Sequence, residues 1–299
     1  MRLYTFEFEG QQRLGAEHKG QLVDLNAAAQ AAPSGGSSLP ADMLSLIKAG
    51  PTALDAARQA LAFAAEQSNE SMIYAFDQVH ILAPIPRPGK ILCSGMNYRS
   101  HVEENPNAKF PDEPFFFAKL PSGVIGPGDP IVHPKGTRQM DYEVEFAVVI
   151  GQSMRNVAEA DVMSHIFGYT ILHDVSARDV QFKDNQITLG KNFDTFAPMG
   201  PCIVTADELP DPRQLRLRTW LNGQVMQDRT NEDWLFPLPT LLASLTRVMT
   251  LEPGDVVSTG TPAGVGVFRH PPVFLQPGDV VVLEIEGIGR LENPVVAEA

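Results

Sequence analysis

The sequence predicts a strand-dominated α+β fold, a rolled, mixed β structure with few helices. Continuous apolar runs such as Phe146-Ala-Val-Val-Ile150 have the composition of buried strands. Pro-Gly-Asp recurs at Pro127-Gly-Asp129, Pro253-Gly-Asp255 and Pro277-Gly-Asp279, which fits Pro and Gly at the central positions of type II turns, and strands rich in Val and Ile follow the last two. Helical periodicity is confined to a few short stretches.

Taken in order, residues 1–25 read as short strands joined by turns, with His18-Lys-Gly20 as a hairpin. The run Ala31-Ala-Pro-Ser-Gly-Gly-Ser-Ser38 then breaks the pattern as a flexible loop. Two helices follow, one over 40–48 stopped by Gly50 and one over 51–66, where Leu54, Ala57 and Leu61 form a packing stripe. The proline-rich Ala83-Pro-Ile-Pro-Arg-Pro-Gly89 divides the chain into a small N-terminal α/β domain, 1–80, and a larger domain, 83–299. Beyond it strands dominate, with a hairpin over 215–228 turning at Asn222-Gly223 and an amphipathic helix over 238–249. The recurrent turns are too unevenly spaced for a repeat architecture.

In Asp141-Tyr-Glu-Val-Glu145, alternation places Asp141, Glu143 and Glu145 on one face of a buried strand. Burying unpaired carboxylates is costly, so such a row requires a cation; a solvated edge strand with acidic gatekeepers is the alternative. In His173-Asp-Val-Ser-Ala-Arg-Asp179 an apolar strand ends at Asp174 and a helical pattern begins at Ser176. Taken alone, Asp174 serves equally well as a helix cap or as a ligand. Beside Glu143 and Glu145 it completes a carboxylate set without Cys or His partners. That set favours Mg²⁺, Mn²⁺ or Ca²⁺ over Zn²⁺ and leaves about three positions of an octahedral ion for a chelating substrate.

Upstream, His101 and Glu104 are three apart on a helical turn and therefore neighbours. The carboxylate can hold the imidazole in one tautomer, as a general base requires; a surface ion pair is the plainer reading. Thr259-Gly-Thr-Pro-Ala-Gly-Val-Gly266 lacks the Lys-Ser/Thr ending of a phosphate loop, and its Gly260-Thr261 turn suits a small carboxylate, with the Thr261 hydroxyl as donor. Phe115-Phe-Phe117 reads as strand core and not as a ligand platform, and the polar, turn-rich 103–113 reads as a lid.

Several motifs carry a resemblance, in this order over residues 83 to 295: Asn97-Tyr-Arg-Ser-His101-Val-Glu-Glu104, Phe115-Phe-Phe-Ala-Lys119-Leu-Pro-Ser122, Asp141-Tyr-Glu-Val-Glu-Phe-Ala-Val-Val-Ile-Gly151, His173-Asp-Val-Ser-Ala-Arg-Asp-Val-Gln181, Lys191-Asn-Phe-Asp-Thr-Phe-Ala-Pro-Met-Gly-Pro201 and Ser258-Thr-Gly-Thr-Pro-Ala-Gly-Val-Gly266. Together they resemble the fumarylacetoacetate hydrolase family, while residues 1 to 80 match it only loosely. The resemblance implies a mixed β-roll catalytic domain over 83–299 and a homodimer. It implies Mg²⁺ or Mn²⁺ on Glu143, Glu145 and Asp174, a His101–Glu104 catalytic dyad, and substrate contacts from Lys119, Lys191 and Thr261. The longer fumarylacetoacetases have a further metal-binding acid a few residues before their catalytic His, and Ser94-Gly-Met-Asn-Tyr98 has none. The chain therefore looks like the smaller bacterial-type branch. That branch includes acylpyruvate and fumarylpyruvate hydrolases, oxaloacetate decarboxylases, diene-dioate isomerases, and dehydratases or hydrolases of deoxy keto sugar acids.

Composition agrees with an enzyme of this kind. The 299 residues are 43% hydrophobic and 20% charged, enough for a sizeable core, and the net charge of -13 argues against nucleic acid or anionic membranes as partners. A small anionic keto acid would be drawn in by the metal and by Lys119, Arg178 and Lys191. Cys93 and Cys202 lie in apolar runs and read as buried free thiols. The first residues read as a strand and not as a signal peptide, no run is long enough to span a bilayer, and the expected compartment is the cytoplasm. The expected reaction is hydrolysis of a 2,4-dioxo acid. The ion polarises the 2-keto group, His101 activates water against C4, and Lys119 or Lys191 stabilises the oxyanion or acts as a structural counter-ion. Oxaloacetate decarboxylation, or isomerisation or dehydration of a keto acid, is the alternative, and a non-catalytic metal-binding protein is a third reading.

Overall fold

The computed structural model describes residues 1–32, 38–67 and 72–299, so the loop reading of 31–38 falls largely outside the described residues. Strands β1 (Arg2–Phe8), β2 (Gln11–His18) and β3 (Gln21–Asp24) form an antiparallel meander. Its second turn holds Lys19 and Gly20 at φ 50° and 77°, the left-handed pair that a two-residue hairpin takes. Asp24 caps α1 (Leu25–Ala31). Asp42 caps α2 (Met43–Ala49), so that helix begins three residues after the start at 40 that the sequence suggests. Helix α3 (Pro51–Glu66) buries Ala57, Ala60 and Ala64, while Leu54 and Leu61 are only half-buried. Small residues, and not the leucine stripe, make its contact face.

Then come β4 (Ile73–Tyr74), β5 (His80–Leu82), β6 (Ile91–Gly95), α4 (Arg99–Glu104), β7 (Phe115–Lys119), β8 (Val124–Ile125), β9 (Ile131–His133), β10 (Met140–Asp141) and β11 (Val144–Ile150). They are followed by β12 (Ile166–His173), β13 (Ser176–Ala177), the short helices α5 (Arg178–Gln181) and α6 (Ile187–Lys191), β14 (Ala197–Thr205), β15 (Arg216–Leu221) and β16 (Gln224–Thr230). Helix α7 (Leu238–Val248), β17 (Val256–Ser258), β18 (Val280–Ile285) and β19 (Gly289–Ala297) complete the chain.

The largest sheet runs β4-β3-β2-β1-β14-β12-β11-β17-β6-β7, with β5 on β1 and β8 on β14. Strand β1 pairs antiparallel with β14, Arg2 opposite Val204, so strands from both sides of 83–89 share this sheet. A second sheet runs β16-β15-β18-β19-β9, and β10 pairs with β13. The result is the strand-rich, mixed α+β architecture that the sequence predicts. In each Pro-Gly-Asp turn the Gly has positive φ and the Asp carboxylate accepts the amide three residues back, from Gly126, Glu252 and Gln276. These acids are turn residues.

Two local expectations give way. Asp141, Glu143 and Glu145 do not share one strand, because β10 ends at Asp141 and β11 begins at Val144. Nor does a helix begin at Ser176: Ser176 and Ala177 pair with Asp141 and Met140, and α5 starts only at Arg178. The Asp141 carboxylate causes the first break by turning back to its neighbour's amide, Tyr142 N, at 2.8 Å.

Candidate active site

The central pair of the sheet builds the floor of the site. Strands β11 and β12 are buried at every position, and their register sets Val144 opposite His173. That register brings Asp174 to the end of β12 beside Glu143, where Asp174 N donates to Glu143 O at 3.1 Å. Glu143, Glu145 and Asp174 are all buried. Helix capping is not the role of Asp174, because α5 has no side-chain cap and both carboxylate oxygens of Asp174 face lysines.

Three cations surround these acids. Lys191 Nζ donates to Glu143 Oε2 at 2.7 Å and to Asp174 Oδ2 at 2.6 Å, bridging the two. Arg178 donates through Nη2 to Glu143 Oε1 at 2.5 Å and through Nε to Asp141 Oδ2 at 2.8 Å. Lys119 Nζ spends its three hydrogens on Asp174 Oδ1 and the carbonyls of Lys191 and Val175. It does not line the cavity, and its one ion pair among the described residues is with Asp174. Asp141 is likewise committed, accepting Gly266 N at 2.7 Å and Val267 N at 3.1 Å besides Arg178. It anchors a loop and takes no part in the acid row that the alternation suggested.

Burial alone would raise Glu143, yet Arg178 and Lys191 hold its carboxyl well below the usual range. Glu145 behaves in the opposite way: burial, with Asp174 and Glu143 beside it, pushes it well above the usual range. Its one hydrogen bond among the described residues comes from Ser258 Oγ at 2.5 Å. An oxygen of Glu145, an oxygen of Asp174 and the Cys93 sulfur lie within 4.8 Å of one another. Burial raises the Cys93 thiol too, so it stays protonated, a poor ligand for a hard ion. Four carboxylates, Asp141, Glu143, Glu145 and Asp174, face three cations, Lys119, Arg178 and Lys191. Among the described residues Glu145 is the one of the four that no cation bridges, and without an ion its raised pKa favours the neutral form. An oxygen donor set with an uncompensated buried carboxylate fits a divalent ion such as Mg²⁺ or Mn²⁺.

Above the floor is a cavity of about 260 Å³ lined by Glu143, Glu145, Arg178, Lys191, Thr261 and His101, with Phe115, Phe117, Phe182, Ile187 and Phe268 on its apolar walls. Phe115 and Phe117 therefore face the cavity, and Lys191 Nζ lies 4.9 Å from the Phe117 ring centre. The strand-core reading holds for Phe116 and in part for Phe117, which pack against the core, but β7 is an edge strand of the sheet and Phe115 and Phe117 also face the site. Asn105 and Ala108, from the stretch read as a lid, also line the cavity.

His101 Nδ1 and Glu104 Oε1 are 2.6 Å apart, and Glu104 Oε2 accepts Gly264 N at 2.8 Å. With side chains only 14% and 16% exposed, the pair is no solvated surface bridge. Gly260 has φ +90°, and a Cβ there would meet Ser94 O at 2.7 Å, so the turn requires glycine. The next residue, Thr261, accepts from Gln227 Nε2 at 2.8 Å and keeps its own hydrogen for the cavity.

Sequence reasoning missed Ser258, Gln227 and His173. Ser258 opens the 258–266 motif, which was the available signal. Gln227 accepts Val144 N at 3.0 Å and Thr219 Oγ1 at 2.8 Å, and nothing in the hairpin sequence distinguishes it. His173 is fully buried with neither ring nitrogen bonded, and burial beside Lys119 lowers it to about 3, so it is neutral.

The fold and site are those of an acid-lined, metal-dependent enzyme. Residues 90–296 match the family model described as fumarylacetoacetate (FAA) hydrolase C-terminal, and the chain belongs to that family. It is 44% identical over 302 residues to the oxaloacetate tautomerase fahd2, mitochondrial, of Xenopus laevis, covering 99% of this chain and 90% of that one. Among solved structures it is similar to a fumarylacetoacetate hydrolase of Exiguobacterium antarcticum, with TM-score 0.82, 36% identity and full coverage of both chains. It is also similar to the maleylpyruvate hydrolase of Sphingobium sp. SYK-6 in complex with manganese(II) and pyruvate, with TM-score 0.78, 32% identity and full coverage of both chains. Among the described residues, no helix is long and apolar enough to cross a membrane.

Proposed function

We propose that the protein is a divalent-metal-dependent tautomerase interconverting the keto and enol forms of oxaloacetate. The observation that carries this reading is similarity over 99% of the chain to a relative named for that activity. It prefers the isomerase alternative to the hydrolysis expected first from the sequence. A divalent ion on Glu143, Glu145 and Asp174 would act as a Lewis acid toward the 2-keto acid. His101, fixed through Nδ1 by Glu104, has Nε2 free to take a proton from C3 and return one, so the net change is one proton moved between C3 and the C2 oxygen. Thr261 donates its hydroxyl to the substrate carboxylate, Lys191 and Arg178 supply positive potential, and Phe117 and Phe268 exclude water from the exchanging proton.

Hydrolysis of a 2,4-dioxo acid is the second reading, favoured by the full-length likeness to a maleylpyruvate hydrolase with pyruvate. The experiment is to mix enol-oxaloacetate with the Mg²⁺-loaded protein and follow enol absorbance, with NMR identification of products. Acylpyruvates are assayed in parallel. Accelerated loss of enol without release of carbon dioxide or acid supports the tautomerase. Cleavage of acylpyruvates with no effect on the enol overturns it in favour of the hydrolase.

A further inference from the structure

We propose that Asp233 is a positioning residue for the His101–Glu104 pair, acting through Ser100; this rests on the proton-transfer role given to that pair above. Helix α4 carries both members and has only six residues, too few to stay helical unaided. It is held from two sides. On one side segment 231–236 grips its start: Leu235 N donates to Asn97 O at 2.7 Å, Phe236 N to Asn97 Oδ1 at 2.9 Å, and the buried Tyr98 hydroxyl to Asn231 Oδ1 at 2.5 Å. On the other side the 259–266 loop holds it, through Ala263 N to Ser100 Oγ at 3.1 Å and Gly264 N to Glu104 Oε2 at 2.8 Å.

The two grips meet at Ser100. Its amide donates to Asp233 Oδ2 at 3.1 Å and its hydroxyl donates to the same oxygen. A carboxylate only accepts, so Asp233 fixes the direction of the hydroxyl hydrogen. The Ser100 oxygen is thereby left to accept, as the Ala263 amide requires. Ser100 immediately precedes His101, so this three-centre chain sets the imidazole's place relative to Thr261, two residues before Ala263. Displacement of a reacting group by about 1 Å can cost on the order of 100-fold in rate. Asp233 is not among the residues that line the cavity.

The test uses the full-length, Mg²⁺-loaded protein and four single variants, Asp233→Ala, Asp233→Asn, Ser100→Ala and His101→Ala, with the Asp233→Ala/Ser100→Ala double. Enol interconversion gives kcat and KM, calorimetry gives Mg²⁺ affinity, and ¹⁵N-histidine NMR reads the His101 ring. Asp233→Ala is expected to lower kcat about 10- to 100-fold with KM and Mg²⁺ affinity nearly unchanged, and to move the His101 ring signals. Asp233→Asn, which can still accept through Oδ1, should recover most of the rate, and the double variant should lose no more than Ser100→Ala alone. Parental kcat in Asp233→Ala, a loss shared with KM and metal affinity, or independent losses that multiply in the double variant overturns the proposal. Should Asp233→Ala fail to fold, Ser100→Ala decides: a kcat loss with moved His101 signals supports the proposal, and parental behaviour overturns it. His101→Ala at the parental rate overturns the pair's role and this inference together, whereas an inactive His101→Ala beside a fully active Asp233→Ala overturns the positioning role alone.

Discussion

The His101–Glu104 pair and Glu145 divide the work at the scale of single residues. Replacing His101 by Ala removes the proposed proton-transfer group and should lower turnover about 10²- to 10⁴-fold while Mg²⁺ affinity, measured by calorimetry, stays near the parental value. Glu145 is instead a case of function opposed to stability. A carboxyl held above its ordinary range stabilises the metal-free fold below the unfolded carboxylate pKa, and that contribution is lost as pH rises toward the raised value. Glu145→Gln removes the loss and can still accept from Ser258, so the metal-free variant at pH 8 should melt roughly 2–4 °C higher than the parent and bind Mg²⁺ far more weakly. A lower melting temperature would mean that Glu145 is well compensated without the ion. The acids were legible in the sequence because carboxylates beside continuous apolar strands stand out, and His101 and Glu104 because residues three apart are neighbours on one helical turn. Gln227 and Asp233 were not, since their partners lie on other elements.

Among the elements, strands and turns were the easiest to read. The Asn222-Gly223 hairpin appears with both residues at positive φ, and the three Pro-Gly-Asp turns form with their acids satisfied locally. What failed was the assumption that alternation continues through Asp141 to Glu145. A side chain that bonds to its neighbour's amide competes with the ladder, and sequence periodicity contains no information on that competition. The 259–266 loop owes its shape to the same Asp141, which accepts the Gly266 amide. A Cβ on Gly266 would come within 1.8 Å of Val273 O and 2.6 Å of Asp141 Oδ1. Gly266→Ala should therefore destabilise the protein by about 1–3 kcal/mol and release Arg178 from its bidentate hold, seen as a lower melting temperature with a weakened substrate affinity. An unchanged melting temperature would show that the loop yields without disturbing Asp141.

For the whole molecule, one ion is expected to link stability and ligand binding. Mg²⁺ should raise the melting temperature, and oxalate, which reproduces the carboxylate and adjacent oxygen of a 2-keto acid, should raise it further and inhibit competitively only when Mg²⁺ is present. Metal-independent inhibition would argue against chelation as the binding mode. The overall architecture was legible because buried strand composition and turn chemistry are local; strand order was not, because it depends on which distant edges meet. Glu104 and Gly264 are 160 residues apart, and Asn97 and Thr259 are 162 apart. Strand β17 lies between β11 and β6, two strands made long before it. While the chain emerges during synthesis, those earlier strands have open edges able to pair with other chains. The arrival of β17 closes both edges and delivers Ser258 to Glu145 in the same event, so the strand that ends the central sheet's exposure to other chains is also the one that completes the bonding of its buried acid.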